Sequence, residues 1–333
     1  AHLGARAFSQ ISGEVVQTTA WVISNQHLQS YKPKFYRLIE GSEVDKKEAL
    51  QNKQNEFAET AQDDFKKIPG SPIAYSLHKR FYDVFDFSNK LGEIAKPVLG
   101  MNSTDNNQYV RSWSEVSFNK INYTSTSGQN SQSSKAKWFP YNKGGEFKKW
   151  YGNREHVINW ENNGHDIHVN NNLPFSHQGA PLRGKRFQFQ ESITWSFISS
   201  AYFGVRYSPP GSMFDVAGSS VFSTDSTLLK SLVAVLCSKL SEQYLNILNP
   251  TLNFQVGNIA NLPILKKIDH EHLSRLSDQC IAISKSDFDE IESSWDFRKS
   301  PLINAKESVK LSFKKYNEHA EEQTKKLFAL EEE

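Results

Sequence analysis

The chain has 333 residues, of which 38% are hydrophobic and 12% aromatic, enough for about two domains with their own cores. No apolar run approaches the roughly 18 residues that a membrane-crossing helix needs, no basic stretch leads into an apolar segment as in a secretion signal, and two cysteines, Cys237 and Cys280, are too few for a disulfide framework. The net charge of +2 hides an asymmetry: residues 71–160 carry 12 basic and 7 acidic side chains, whereas residues 266–333 carry 12 and 15, which points the middle of the chain towards a polyanion.

These bulk properties lead to the expectation of a cytoplasmic protein with two free thiols and no membrane association. The first elements are two runs rich in β-branched and aromatic residues, 15–24 (VVQTTAWVIS) and 35–39, which read as a pair of strands. Residues 42–71 are polar and helix-favouring until IPGSP breaks them, and read as a connecting helix. The first 40 residues are too few to bury a core, so they are expected to close a domain begun upstream of Ala1. From residue 72 onwards short aromatic or alternating runs (KWFPY, HVINW, RFQFQESITWSF, FGVRYSP, MFDVAGSSVF) stand between Gly, Asn, Ser and Pro, the pattern of a β-rich domain with long loops. Within it, residues 124–134 (TSTSGQNSQSS) have no apolar side chain and read as a mobile loop. Leucines at helical spacing over 225–248 predict one amphipathic helix, and residues 266–333 read as mostly helical. The fold class expected is α+β.

Three clusters carry candidate chemistry. After Gly100 come Asn102, Thr104, Asp105 and Asn106, small polar side chains of the kind that read base edges in a groove, followed by Tyr109 and Arg111, an aromatic plane and a guanidinium fork suited to nucleic acid. An ordinary polar loop is the plainer alternative. Lys135, Lys137, Lys143, Lys148, Lys149 and Arg154 interleave with Trp138, Tyr141, Phe147, Trp150 and Tyr151; such lysines suit successive phosphates, although charge runs are usually solvated faces. Arg183, Lys185 and Arg186 form a smaller cluster around Gly184.

Other chemistries find little support. Glu146-Phe147-Lys148 matches the E-x-K fragment of metal-dependent nucleases but lacks an upstream Pro-Asp partner. His156, His165, His168 and His177 alternate with Asn and Gly without cysteine partners, so surface or structural roles are favoured and no metal site is expected. Neither a G-x-S-x-G elbow nor a G-x-x-x-x-G-K-[ST] loop occurs.

Seven segments taken in order resemble the PglX-type adenine-specific DNA methyltransferases of bacterial BREX phage-defence systems, and more loosely the Eco57I-like and TaqI-like restriction-modification enzymes. They are residues 3–23 (LGARAFSQISGEVVQTTAWVI), 68–75 (IPGSPIAY), 91–111 (LGEIAKPVLGMNSTDNNQYVR), 149–164 (KWYGNREHVINWENNG), 191–218 (ESITWSFISSAYFGVRYSPPGSMFDVAG), 248–264 (LNPTLNFQVGNIANLPI) and 293–302 (SSWDFRKSPL). The resemblance implies a parent enzyme that holds S-adenosylmethionine on a Rossmann-like domain and grips a flipped adenine with an N-P-P-[YF] loop, because the exocyclic amine cannot be reached inside the stack. That motif and a Gly-rich donor loop are absent; Asn249-Pro250-Thr251 lacks the second proline and the aromatic. What the resemblance implies here is the tail of a Rossmann-like methyltransferase domain (1–41), the connecting helix (42–71), a β-rich target recognition domain (72–265) and C-terminal helices (266–333), with no catalytic residue and no cofactor in this part. The family pattern Thr-Gly-Asp-Asn is met by Ser103-Thr104-Asp105-Asn106, without its glycine, leaving Asp105 and Asn106 as base readers or loop caps. The implied partner is double-stranded DNA. A protein-interaction scaffold, docking other BREX subunits or a phage-encoded inhibitor through the acidic C-terminal helices, is the second reading, and carbohydrate binding by aromatics among Asn-rich loops a third.

Overall fold

Short runs of β-branched and aromatic residues bounded by turn-formers have one low-energy use, as strands that bury one face and end where glycine, asparagine or proline bends the chain. The computed structural model describes residues 1–10, 17–199, 202–249, 251–303 and 308–333, and its contacts separate Ala1–Ser88 from Asn89–Glu333. It is a mixed α and β structure of small sheets and several helices. Among the described residues no helix is long and apolar enough to cross a membrane.

In the first unit the two runs expected to pair with each other take other partners. Thr18–Thr19 pairs with His2–Gly4, and Phe35–Tyr36 pairs with Glu56–Phe57, both antiparallel; residues 15 and 16 lie outside the described residues. The expected connecting helix is broken as well. Helix Glu43–Gln51 starts at a Ser42 capping box and stops at Asn52, after which come the strand Glu56–Phe57 and a tight turn over Gln62–Lys67. The polar surface of 42–71 carries no apolar stripe to hold a long helix to a core, so the chain turns back where Lys53 and Asn55 adopt left-handed backbone. Phe35 stacks on Tyr75 with ring centroids 4.8 Å apart and meets Phe65 edge-on.

The second unit holds two four-stranded sheets. The strands of these two sheets are β1 (Lys96–Val98), β2 (Val110–Ser112), β3 (Trp138–Asn142), β4 (His156–Asn159), β5 (Ser192–Trp195), β6 (Val205–Ser208), β7 (Met213–Phe214) and β8 (Ser220–Phe222). One sheet runs β6-β5-β8-β1, with Ile193 opposite Val221 and Val221 opposite Pro97. The other runs β7-β3-β4-β2, antiparallel except for β7 beside β3, with Phe139 opposite Ile158 and Val110 opposite Ile158. Each expected run contains a strand, over most of KWFPY and HVINW but only over SITW in RFQFQESITWSF and VRYS in FGVRYSP, while MFDVAGSSVF gives two short strands with a turn at Val216–Gly218 between them. Met101, Tyr109, Phe139, Tyr141, Ile158, Trp160, Leu182, Phe189 and Met213 form one fully buried cluster. At about 2 kcal/mol for each large apolar side chain removed from water, this cluster is what fixes the loops that leave it.

The longer helices of the unit are α1 (Glu161–Asn170), α2 (Ser226–Cys237), α3 (Lys239–Leu248), α4 (His270–Asp289) and α5 (Val309–Glu332). The single helix expected over 225–248 is two, because Ser238 is extended (φ −74, ψ 151) and its hydroxyl caps the second helix at Ser241 N. Residues 124–134, expected as a mobile loop, contain the helical turn Gly128–Ser133, capped by Ser127 accepting from Asn130 N. Asn162, Asn163 and Gly164 are left-handed in succession within α1, tolerable only because asparagine and glycine carry little penalty there. Along α2 and α4, Ser231 Oγ meets His270 Nδ1 at 2.7 Å and Lys230 pairs with Asp278. The two thiols are free, Cys280 buried on α4 and Cys237 at the end of α2.

Candidate nucleic-acid interface

The loop after β1 leaves the core at a backbone crossing that admits no side chain. A Cβ on Gly100 would lie 2.2 Å from the Asp215 carbonyl oxygen, and the strands are stitched there by Met101 N to Phe214 O (3.1 Å) and Val216 N to Met101 O (3.0 Å). Asn102 N then donates to Pro181 O (2.8 Å), which brings the segment carrying Arg183, Lys185 and Arg186 against the root of the loop. Asn102 Oδ1 accepts from Thr104 N at 2.7 Å, an Asx turn. Thr104 has φ +69: the position where the family pattern has glycine takes the backbone that glycine favours, with Thr104 Oγ1 held between Ser103 O (2.6 Å) and Asn171 Nδ2 (3.1 Å). Asp105 caps the turn Asn106–Tyr109 through Gln108 N.

A buried carboxylate organises the centre. Asp215 is 6% exposed and receives Tyr141 OH (2.7 Å), Ala217 N (2.8 Å) and Lys143 Nζ (2.9 Å). Burial and the neighbouring carboxylate hold the Tyr141 phenol far above its ordinary range, so it remains a donor. Lys143 Nζ also donates to Asn106 Oδ1 (2.8 Å), which takes a second hydrogen bond from Ser103 Oγ (2.6 Å). The exposed side chains of Asn102, Thr104, Asp105 and Asn106 are therefore carried on a braced loop.

The remaining sequence candidates divide by environment. Tyr109 is 1% exposed and its hydroxyl accepts from Asn170 Nδ2 at 2.5 Å, so its ring is core and offers no stacking surface. Arg111 Nη1 donates to Asn107 O (2.5 Å) and Val110 O (2.6 Å), bracing the loop's far end. Arg154 is buried between the rings of Tyr151 and Trp295, with hydroxyls of Ser208 and Ser212 at 3.3 and 3.4 Å. Lys149 pairs with Glu331 of α5 at 2.6 Å. Lys185 donates to His168 Nε2 at 2.8 Å. Lys148, Arg183 and Arg186 are exposed. Lys135 is exposed too, but Lys135 and Lys137 precede β3 while Lys143 follows it, a separation of about 20 Å by strand rise and beyond the roughly 8 Å over which exposed charges act at physiological salt. Hydrogen bonds thus join 102–106 to Lys143, and Pro181, two residues before Arg183, meets the root of the loop, whereas the 135–137 pair lies at the other end of β3.

Ser103, Asp215, Asn170 and Asn171, which no candidate cluster included, complete the site, and Tyr141, expected as a packing or stacking ring, enters it as a donor to a carboxylate. The run Asn170-Asn171-Asn172 was the one visible signal; Asp215 lies in a segment that looks like strand. The histidines scatter, with His165 beside Asp166, His177 bonded to Ala180 O and His168 to Lys185. Among the described residues no group of three or more His, Cys, Asp or Glu is arranged to hold a metal ion. Pro250 lies outside the described residues.

No protein-family model matches the chain. It is 42% identical over 318 residues to adenine-specific methyltransferase BrxX of Escherichia coli O9:H4 (strain HS), covering 95% of this chain and 25% of that protein. It is 40% identical over 346 aligned residues to adenine-specific methyltransferase PglX of Lacticaseibacillus casei (strain Zhang), covering all of this chain and 28% of that protein. The chain spans about a quarter of the length of the curated relatives it matches.

Proposed function

We infer that this chain, homologous from end to end with part of the PglX-type adenine-specific methyltransferases, supplies double-stranded DNA recognition to such an enzyme in bacterial phage defence. The observation that carries the reading is the braced loop that exposes Asn102, Thr104, Asp105 and Asn106, with Pro181 of the segment that carries Arg183 and Arg186 bonded at its root. Base-edge readers must be held in register before contact, since ordering a floppy loop on binding costs affinity. The methyl donor, S-adenosylmethionine, and the adenine-gripping loop belong to the rest of the parent enzyme: residues 1–41 are read as the end of its Rossmann-like domain, 42–71 as the connection, 72–265 as the recognition region and 266–333 as supporting helices.

The test separates phosphate contacts from base contacts. Lys148→Glu, Arg183→Glu and Arg186→Glu together should weaken binding to every duplex and flatten its salt dependence by about 0.9 in log–log slope for each phosphate left unneutralised. Substituting Asn102 and Asn106 by alanine should change the preferred sequence with little effect on that slope. Binding and discrimination like wild type in both sets would refute the assignment.

A second reading, a scaffold for other BREX subunits or a phage-encoded inhibitor, is favoured by α5, where Val309, Phe313 and Phe328 are all more than half exposed. Removing residues 308–333 discriminates: intact DNA binding without assembly supports scaffolding by that helix.

A further inference from the structure

We propose that Asn106 and Asn102 are locked with their amide N–H groups outward, and that the loop on this account selects guanine in a G·C pair; this rests on the duplex-recognition reading. An asparagine amide is normally ambivalent, offering an acceptor or two donors according to which way it turns. Here the choice is forced by the neighbours. The Lys143 ammonium has only hydrogens to give, so the Asn106 atom 2.8 Å from it is Oδ1, and Ser103 Oγ donates to the same oxygen. The Thr104 backbone N–H likewise fixes Asn102 Oδ1 inward. Both Nδ2 groups are then without a protein partner among the described residues, on side chains that are exposed.

Outward donors match acceptors, and guanine is the base whose major-groove edge offers acceptors alone, O6 and N7. Adenine sets an amine beside its N7, and thymine a methyl beside its O4. Asp105 spends one carboxylate oxygen on Gln108 N; the other suits the N4 amine of the paired cytosine. Lys143 is a positioning residue: it is itself held by Asp215 at 2.9 Å and acts through the amide that it turns.

The experiment selects from a pool of randomised duplex DNA with the intact chain and compares wild type, Asn106→Asp, Lys143→Met and Lys143→Arg. Asn106→Asp keeps one oxygen under Lys143 and presents the other outward, turning a donor into an acceptor. Preference at one position should move from guanine to a base with an amine, cytosine or adenine, by about tenfold. Lys143→Met should relax preference at that position alone, and Lys143→Arg should restore it, a pattern that general loss of structure does not produce. Unchanged preference in Asn106→Asp, or relaxation at every position in Lys143→Met, overturns the proposal while leaving DNA recognition standing. A wild-type chain that binds the pool without enrichment, or fails to bind it, overturns the recognition reading and this inference with it.

Discussion

Single residues decide the shape of the loop, and two of them make opposite predictions. Gly100→Ala drives a methyl into the Asp215 backbone at 2.2 Å; the strands must part, and denaturant unfolding should show a loss of more than about 2 kcal/mol. Thr104→Gly removes a side chain from a left-handed position at the expense of its two hydrogen bonds, so stability should stay within about 1 kcal/mol of wild type. Acid sensitivity is set by single residues too. Burial, together with the Lys185 ammonium, holds His168 below the usual imidazole range, and burial does the same for His156. A depressed folded pKa means that folding favours the neutral ring: its contribution is complete above the ordinary imidazole value and is lost as pH falls through the folded one. The urea midpoint should fall between about pH 7 and about pH 5, and less so in His168→Gln, whose amide oxygen can still accept from Lys185. The candidate side chains were legible in the sequence as types and not as environments. Tyr109 and Arg154 have the chemistry of nucleic-acid contacts, yet one fills the core and the other lies between two rings, since spacing does not reveal which way a side chain faces.

Elements were more readable where a periodic apolar pattern had a core to meet. The strands β3 to β8 follow their aromatic runs, and α4 and α5 fall within the region read as helical. Failures came where local capping overrode pattern: Ser238 divides one leucine stripe into two helices, and Ser127 nucleates a turn in a stretch with nothing apolar. The α2 and α4 helices carry the thiols, and burial pushes Cys237 up to about 12 and Cys280 up to about 11. Alkylating reagents at about pH 8 should therefore leave both unmodified in the native chain and label both after denaturation; rapid native labelling would contradict the helix packing. The last helix is tied down by Glu331, which accepts from Lys149 Nζ (2.6 Å) and Trp150 Nε1 (2.7 Å). A double-mutant cycle on Lys149 and Glu331 should give a coupling of about 1 kcal/mol, diminished by salt.

At the scale of the whole molecule, the basic middle and acidic end seen in the sequence meet within one unit, where an α5 carboxylate neutralises a lysine of the basic run. The segment's net charge therefore overstates what is offered to a polyanion; Lys148, Arg183 and Arg186 remain exposed, and on the proposed reading the polar loop would supply the selectivity. Family likeness was legible because seven segments keep their order, and homology across 95–100% of the chain bears it out. Whether this chain reads duplex DNA is decided by selecting duplexes from a randomised pool with the intact wild-type chain, at low and at physiological salt. A short shared sequence should be enriched at both, with affinity falling steeply as salt rises. Binding indifferent to sequence, or no binding even at low salt, would contradict it.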